Sequence, residues 1–166
     1  MVDNPLNSQG NQHLAFAYFE KCIFPIFLTQ LQSQGSATTN TCAGGGCHDT
    51  VTGTGGALRL ISSAQPLDVS DPANTPDAIR ASDMYKNFYS AQGEVVFGNP
   101  MLSRILAKPM VNGVLHGGGL VFENAQDANA RLIQYWINNP APSGSNEFSD
   151  PTFGFTPGNP PICNSQ

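Results

Sequence analysis

The sequence predicts a small all-α domain with long irregular connections, and three observations carry that prediction. Apolar residues recur at steps of three and four in separate stretches. Proline and capping residues bound those stretches, and the segments between them are rich in Gly, Pro, Asn, Ser and Thr. The 166 residues fit one domain, 1–166, with a core over 12–142 and an irregular Pro/Gly-rich tail over 143–166 that wraps on the body. Hydrophobic residues make up 40% of the chain, enough for a packed core, while charged residues reach only 11% against about a quarter in ordinary globular domains. With 17 glycines and 13 prolines, this composition suits an exported, loop-rich protein better than a charged cytosolic enzyme.

From the N-terminus, residues 1–10 read as a polar lead-in. Phe16, Phe19, Ile23, Ile26 and Phe27 keep helical spacing, which predicts a helix from Gln12 to about Gln32. Pro25 removes a backbone donor and predicts a kink or restart near Phe24. Residues 33–57 read as loop, apart from a turn at Cys47–His48, and Ala57–Ile61 as one short extended piece. Thr75 is a capping residue and Pro76 a good first helical residue, which predicts a helix over Pro76–Ala91 with Ile79, Met84, Tyr85 and Phe88 facing inward. Asn99-Pro100 opens a short helix through Ala107, stopped by Pro109. Residues 111–119 are irregular. A final helix over Ala125–Asn138 clusters Ala128, Leu132, Tyr135 and Trp136, and Pro140 ends it. Phe148, Phe153 and Phe155 in the tail predict that it docks.

Several function classes drop out early. The net charge is −5 and no Lys/Arg cluster exists, which argues against a nucleic-acid partner and makes a basic partner surface the natural electrostatic complement. The longest apolar run, Cys22–Leu28, is interrupted by Pro25 and far too short for a transmembrane segment. The opening residues lack the charged and apolar regions of a secretory signal, so the expectation for an exported chain is that its signal has been removed.

The chemistry concentrates in C-A-G-G-G-C-H, residues 42–48. A zinc site needs four ligands, commonly two close pairs; Cys42 and Cys47 supply one pair, no second exists, and His48 beside Cys47 is badly placed for the same ion. A redox dithiol wants two intervening residues at a helix start. A small loop disulfide beside a surface histidine is the plain alternative. Covalent haem attachment ordinarily uses C-x-x-C-H, with both thiols on the haem and the histidine on its iron. Here the second cysteine and the histidine keep their adjacency, and three glycines let the longer spacer bulge outward.

The ordered set of "FPIF" before Cys42, the C-x4-C-H motif itself, "GGALRL", "NPMLSRILAKPM", "HGGG" and "ARLIQYWINNPAP" resembles a c-type cytochrome. The variant is the one found in haem-binding modules of planctomycete-type exported proteins, and the matching segments span residues 14–142. That resemblance implies the small helical cytochrome c fold, with the first and last helices crossing and Phe16 or Phe19 against Tyr135 or Trp136. It implies one covalent haem c on Cys42 and Cys47, with His48 as the proximal ligand. It also implies a periplasmic or otherwise exported single-electron carrier rather than an enzyme. The tail after Pro142 has no counterpart.

An electron-transfer haem needs a second axial ligand, and His13, Met84, Met101, Met110 and His116 are the candidates. His116 is favoured, because Gly117, Gly118 and Gly119 after it permit close approach of backbone to a flat ring. Met110, in "AKPMVNG", is the alternative, and the choice matters because a thioether raises the reduction potential and a second imidazole lowers it. Arg59 is the candidate partner for a haem carboxylate. Were neither His116 nor Met110 a ligand, the open sixth position would suit a haem enzyme or gas sensor, with Arg59 or Arg104 as the distal polar group. A non-haem zinc or disulfide module with a binding role for the aromatic tail is the third reading. Cys22 and Cys163 are a possible disulfide that would tie the tail to the first helix in an oxidising compartment.

Overall fold

From Leu14 to Leu28 only Lys21, Pro25 and Leu28 face solvent, one narrow stripe at helical spacing on an otherwise buried rod. The computed structural model describes residues 12–150 and 154–166; Phe153 and the 1–10 lead-in lie outside them. The rod runs as α1 (Phe16–Tyr18), a π-helical stretch (Phe19–Ile23) and α2 (Phe24–Leu28). Pro25 explains the widening. It has no N–H, and its ring would meet the carbonyl four residues back, so the preceding turn loosens and Phe24 N–H reaches Phe19 O, five residues away. The helix then stops at Leu28 rather than Gln32, where Thr29 turns extended and its hydroxyl donates to Pro25 O at 2.9 Å.

Two short sheets overturn the all-α expectation. β1 (Leu31–Gln32) pairs antiparallel with β2 (Thr39–Asn40), with Leu31 opposite Asn40. In the tail, β3 (Phe155–Thr156) pairs antiparallel with β4 (Ile162–Cys163). The protein is therefore a mixed fold of helices with two small antiparallel sheets. Two-residue strands have no alternation to read in a sequence, so loop composition hid both.

The expected helix over Pro76–Ala91 is two. Thr75 caps α3 (Pro76–Arg80), accepting from Ala78 N–H, and Ser82 caps α4 (Asp83–Gln92), accepting from Tyr85 N–H at 3.1 Å. A 3₁₀ turn (Pro100–Leu102) leads into α5 (Arg104–Ala107). α6 (Ala128–Asn138) begins at Ala128 rather than Ala125, because Asp127 is its cap and accepts from Asn129 and Ala130 N–H.

The core forms where the first rod meets α6 and α4. Trp136 is fully buried, its ring 5.4 Å from Phe19 and 6.2 Å from Phe88, and its indole N–H donates to Ala15 O. Tyr18 stacks on Tyr135 at 5.4 Å. Glu20, buried on the rod, accepts from Leu67 N–H, and burial pushes its carboxyl above the ordinary range. The tail docks on the rod as well. Phe16 N–H donates to Glu147 O, and the buried Glu147 carboxylate receives Arg80 and Tyr85, each at 2.8 Å. Burial works to raise the Glu147 pKa, but those two donors hold it below the usual value. Phe155 packs on Tyr18, Tyr18 OH donates to Asn164 O, and a disulfide joins Cys22 to Cys163. No helix among the described residues is long and apolar enough to cross a membrane.

Candidate functional site

The spacer between the two motif cysteines folds back on itself. His48 N–H donates to Cys42 O at 3.0 Å, and inside that closure Gly44 N–H reaches Thr41 O and Cys47 N–H reaches Gly44 O. Gly46 has φ +80°, a conformation that costs other residues about 1–2 kcal/mol, and it lies at the exposed tip with Gly45. The loop thus projects while Cys47 and His48 return beside Cys42. Its base is fixed to the rod, because buried Ala43 donates its N–H to Phe27 O at 3.0 Å. Asn40 Nδ2 donates to Cys47 Sγ at 3.3 Å. Cys42 and Cys47 are free thiols, unlike Cys22 and Cys163. Burial, with Cys47 adding to it, pushes the Cys42 thiol up to about 11, so it is protonated at neutral pH.

His48 is oriented from the core outward. Its Nδ1 lies 3.1 Å from Leu58 O, and its own carbonyl accepts from Leu60 N–H at 2.8 Å. The Leu58–Ile61 segment is held in turn by α4. Ser90 Oγ accepts from Arg59 N–H, and fully buried Asn87 both accepts from Ile61 N–H and donates to Ile61 O. Gly55 lies against the same ring: a Cβ there would stand 2.4 Å from His48 Nδ1 and 2.7 Å from Cys47 O, distances no side chain tolerates. Burial depresses the His48 pKa; His116, Lys108 and Arg59 push the same way, against the Leu58 hydrogen bond. The neutral imidazole this favours is the form that binds a metal.

His116 faces the same space from a turn of its own. Its Nδ1 lies 2.8 Å from Gly119 O, and Gly119 N–H returns to His116 O at 2.9 Å. The two imidazole centroids are 6.3 Å apart and the rings lie within 13° of parallel. A carbonyl only accepts, so each Nδ1 carries a hydrogen, and in the neutral ring the Nε2 keeps its lone pair, with no protein partner among the described residues. Both histidines line an open cleft of about 600 Å³ together with Cys42, Cys47 and Lys108. That lies within the roughly 300–1,000 Å³ of small-molecule and cofactor sites. The cleft narrows into a mostly apolar recess of about 40 Å³ walled by Phe27, Leu58, Ile105 and Phe122.

The 6.3 Å separation is close to what two imidazoles on one metal require. Two imidazoles on opposite faces of one metal, each bonded at about 2 Å with the nitrogen about 1 Å from its ring centroid, have centroids about 6 Å apart. Among the described residues no three His, Cys, Asp or Glu side chains converge as a metal-holding group, so the tetrahedral zinc arrangement is not present there. A flat macrocycle that takes imidazoles at its centre and thiols at its edge needs no such convergence.

The other sequence candidates sit elsewhere. Met110 packs against the core and lines neither the cleft nor the recess. His13 is exposed, Met84 is in the core, and Met101 lies on the 3₁₀ turn, 38% exposed. Arg59 does not line the cleft either. Its guanidinium donates to Gly53 O at 2.7 Å and to Asp49 O at 3.4 Å, bracing the turn after His48. Arg104 and Lys108 occupy the wall instead. Sequence reasoning missed Lys108, Asn40, Gly55 and Asn87. Only Asn87 left a signal, a lone polar residue on the apolar face of α4 between Met84 and Ala91. Comparison of the chain with family models, with curated proteins and with solved structures gives no match.

Proposed function

We propose that this protein is an exported monohaem c-type cytochrome that carries single electrons between redox partners. The observation that carries the reading is the parallel pair His48 and His116, 6.3 Å apart, each anchored through Nδ1 in a cleft that also presents Cys42 and Cys47. In this reading Cys42 and Cys47 form the thioether links, His48 is the proximal ligand and His116 the distal one, both through Nε2. Haem, when bound, supplies one-electron chemistry by cycling its iron between Fe(III) and Fe(II). The protein's part is to hold the donors. The carbonyls of Leu58 and Gly119 set both tautomers and make each imidazole a stronger donor. Two imidazoles favour a lower potential than an imidazole and a thioether would. With His48 and His116 both serving as ligands, no coordination site would be left for a substrate, which favours a carrier over an enzyme or gas sensor. Met110, packed on the core, is the weaker ligand candidate. The Cys22–Cys163 disulfide accords with an oxidising compartment, and the charge of −5 with redox partners that dock through a basic surface.

The test is the absorption spectrum of protein made in a host that matures c-type cytochromes. The reduced protein should show sharp α and β bands, His116→Ala should turn it high-spin, and Met110→Ala should leave the bands intact. Mass spectrometry should find haem linked through both cysteines. A colourless protein would sink the proposal, and loss of the low-spin bands in Met110→Ala alone would move the distal ligand to Met110.

A further inference from the structure

Two cations on the cleft wall form no ion pair among the described residues. Lys108 lines both the open cleft and the recess, and Arg104 lines the recess. The ion pairs among the described residues are Arg80 with Asp77 and with Glu147, and Lys86 with Asp83. Arg104 and Lys108 stand one helical turn apart at α5, with Lys108 N–H donating to Arg104 O, so their side chains leave the same face. The titratable groups that share the wall with them are Cys42, His48, His116 and Glu94. Of these Glu94 alone is a carboxylate, and it forms no ion pair with either cation. Arg59, the third cation in the neighbourhood, is engaged by backbone carbonyls.

Lys108 is half-buried on that wall, and an arriving carboxylate would give its ammonium the charge-assisted partner it lacks among the described residues. We infer that Lys108, with Arg104, recognises the carboxylate edge of the bound cofactor and sets which way round it seats; this rests on the haem reading above. Haem carries two propionates on one edge, and two cations one turn apart offer a donor to each. They are positioning residues. They touch the cofactor's periphery and leave its iron to the histidines.

The experiment uses the full chain carrying Cys42→Ala and Cys47→Ala, so that binding is reversible. It is titrated with iron protoporphyrin IX and, separately, with the dimethyl ester of the same porphyrin, which lacks only the charges. The diacid should bind roughly tenfold to hundredfold more tightly than the ester. Lys108→Met should remove most of that preference while leaving affinity for the ester unchanged, and Lys108→Arg should restore it. Arg104→Met, at an exposed position, should weaken the preference without endangering the fold. Equal affinity of the parent for both porphyrins, or a preference that survives both methionine variants, overturns the inference. So does an equal loss of affinity for both porphyrins in Lys108→Met, which would mark a structural role. If neither porphyrin gives the parent a low-spin spectrum, the haem reading itself falls and the inference falls with it.

Discussion

His48 reaches a carbonyl ten residues away, at Leu58, on a segment that Asn87 and Ser90 clamp to α4, whereas His116 reaches Gly119 within its own turn. One imidazole inherits its orientation from the hydrophobic core. The other inherits it from a loop tied to the body chiefly through backbone bonds, such as Gln34 N–H to Leu120 O and Val121 N–H to Pro109 O. Both line the same cleft, but the structural elements that resist displacement differ. A segment held by buried, satisfied polar groups opens only with much of the fold, while an exposed turn opens locally and at low cost. The cleft therefore has a stiff wall at His48 and an adjustable one at His116.

Three substitutions sharpen or break that contrast. Gly55→Ala should do most damage, because the added methyl meets the His48 ring and the Cys47 carbonyl, and neither has room to move. A loss of about 3 kcal/mol in denaturant unfolding is expected, the upper end for overpacking, with His48 ligation lost from the spectrum. Asn87→Ala leaves Ile61 N–H and C=O without their buried partner and should cost about 2 kcal/mol in the same measurement. Gly118→Ala places a methyl 3.0 Å from His116 Cε1, but that ring can swing with its turn, so a cost below about 1 kcal/mol is expected. If Gly118→Ala proves as damaging as Gly55→Ala, the two walls are equally stiff and the contrast is wrong.

The sequence showed the helices that have a period and missed the structure that has none. α4 and α6 are long enough for their apolar stripes to be read, and Phe19 meets Trp136, one of the contacts that the resemblance, not the spacing, implied. The two sheets were invisible, since two residues cannot alternate, and so the all-α expectation failed. Cys42, Cys47 and His48 stand out because of their adjacency, and His116 because glycines come after it; all four line one cleft. Arg59 and Lys108 show the limit. Each is a cation in an apolar stretch, and only the approach of distant segments decides that one braces a turn while the other faces the cleft. Gly55 was one glycine among many, distinguished only by the imidazole that lies against it.

The disulfide between Cys22 and Cys163 spans 141 residues, and every residue proposed to hold the cofactor lies between its ends. By chain-entropy reasoning, closing so long a loop contributes on the order of 5 kcal/mol by restricting the unfolded chain. It also makes the working part of the molecule a covalent ring. A single backbone cut anywhere inside that ring, even in the exposed turn before His116, leaves two pieces that stay joined, so one proteolytic nick does not by itself separate the two walls of the cleft.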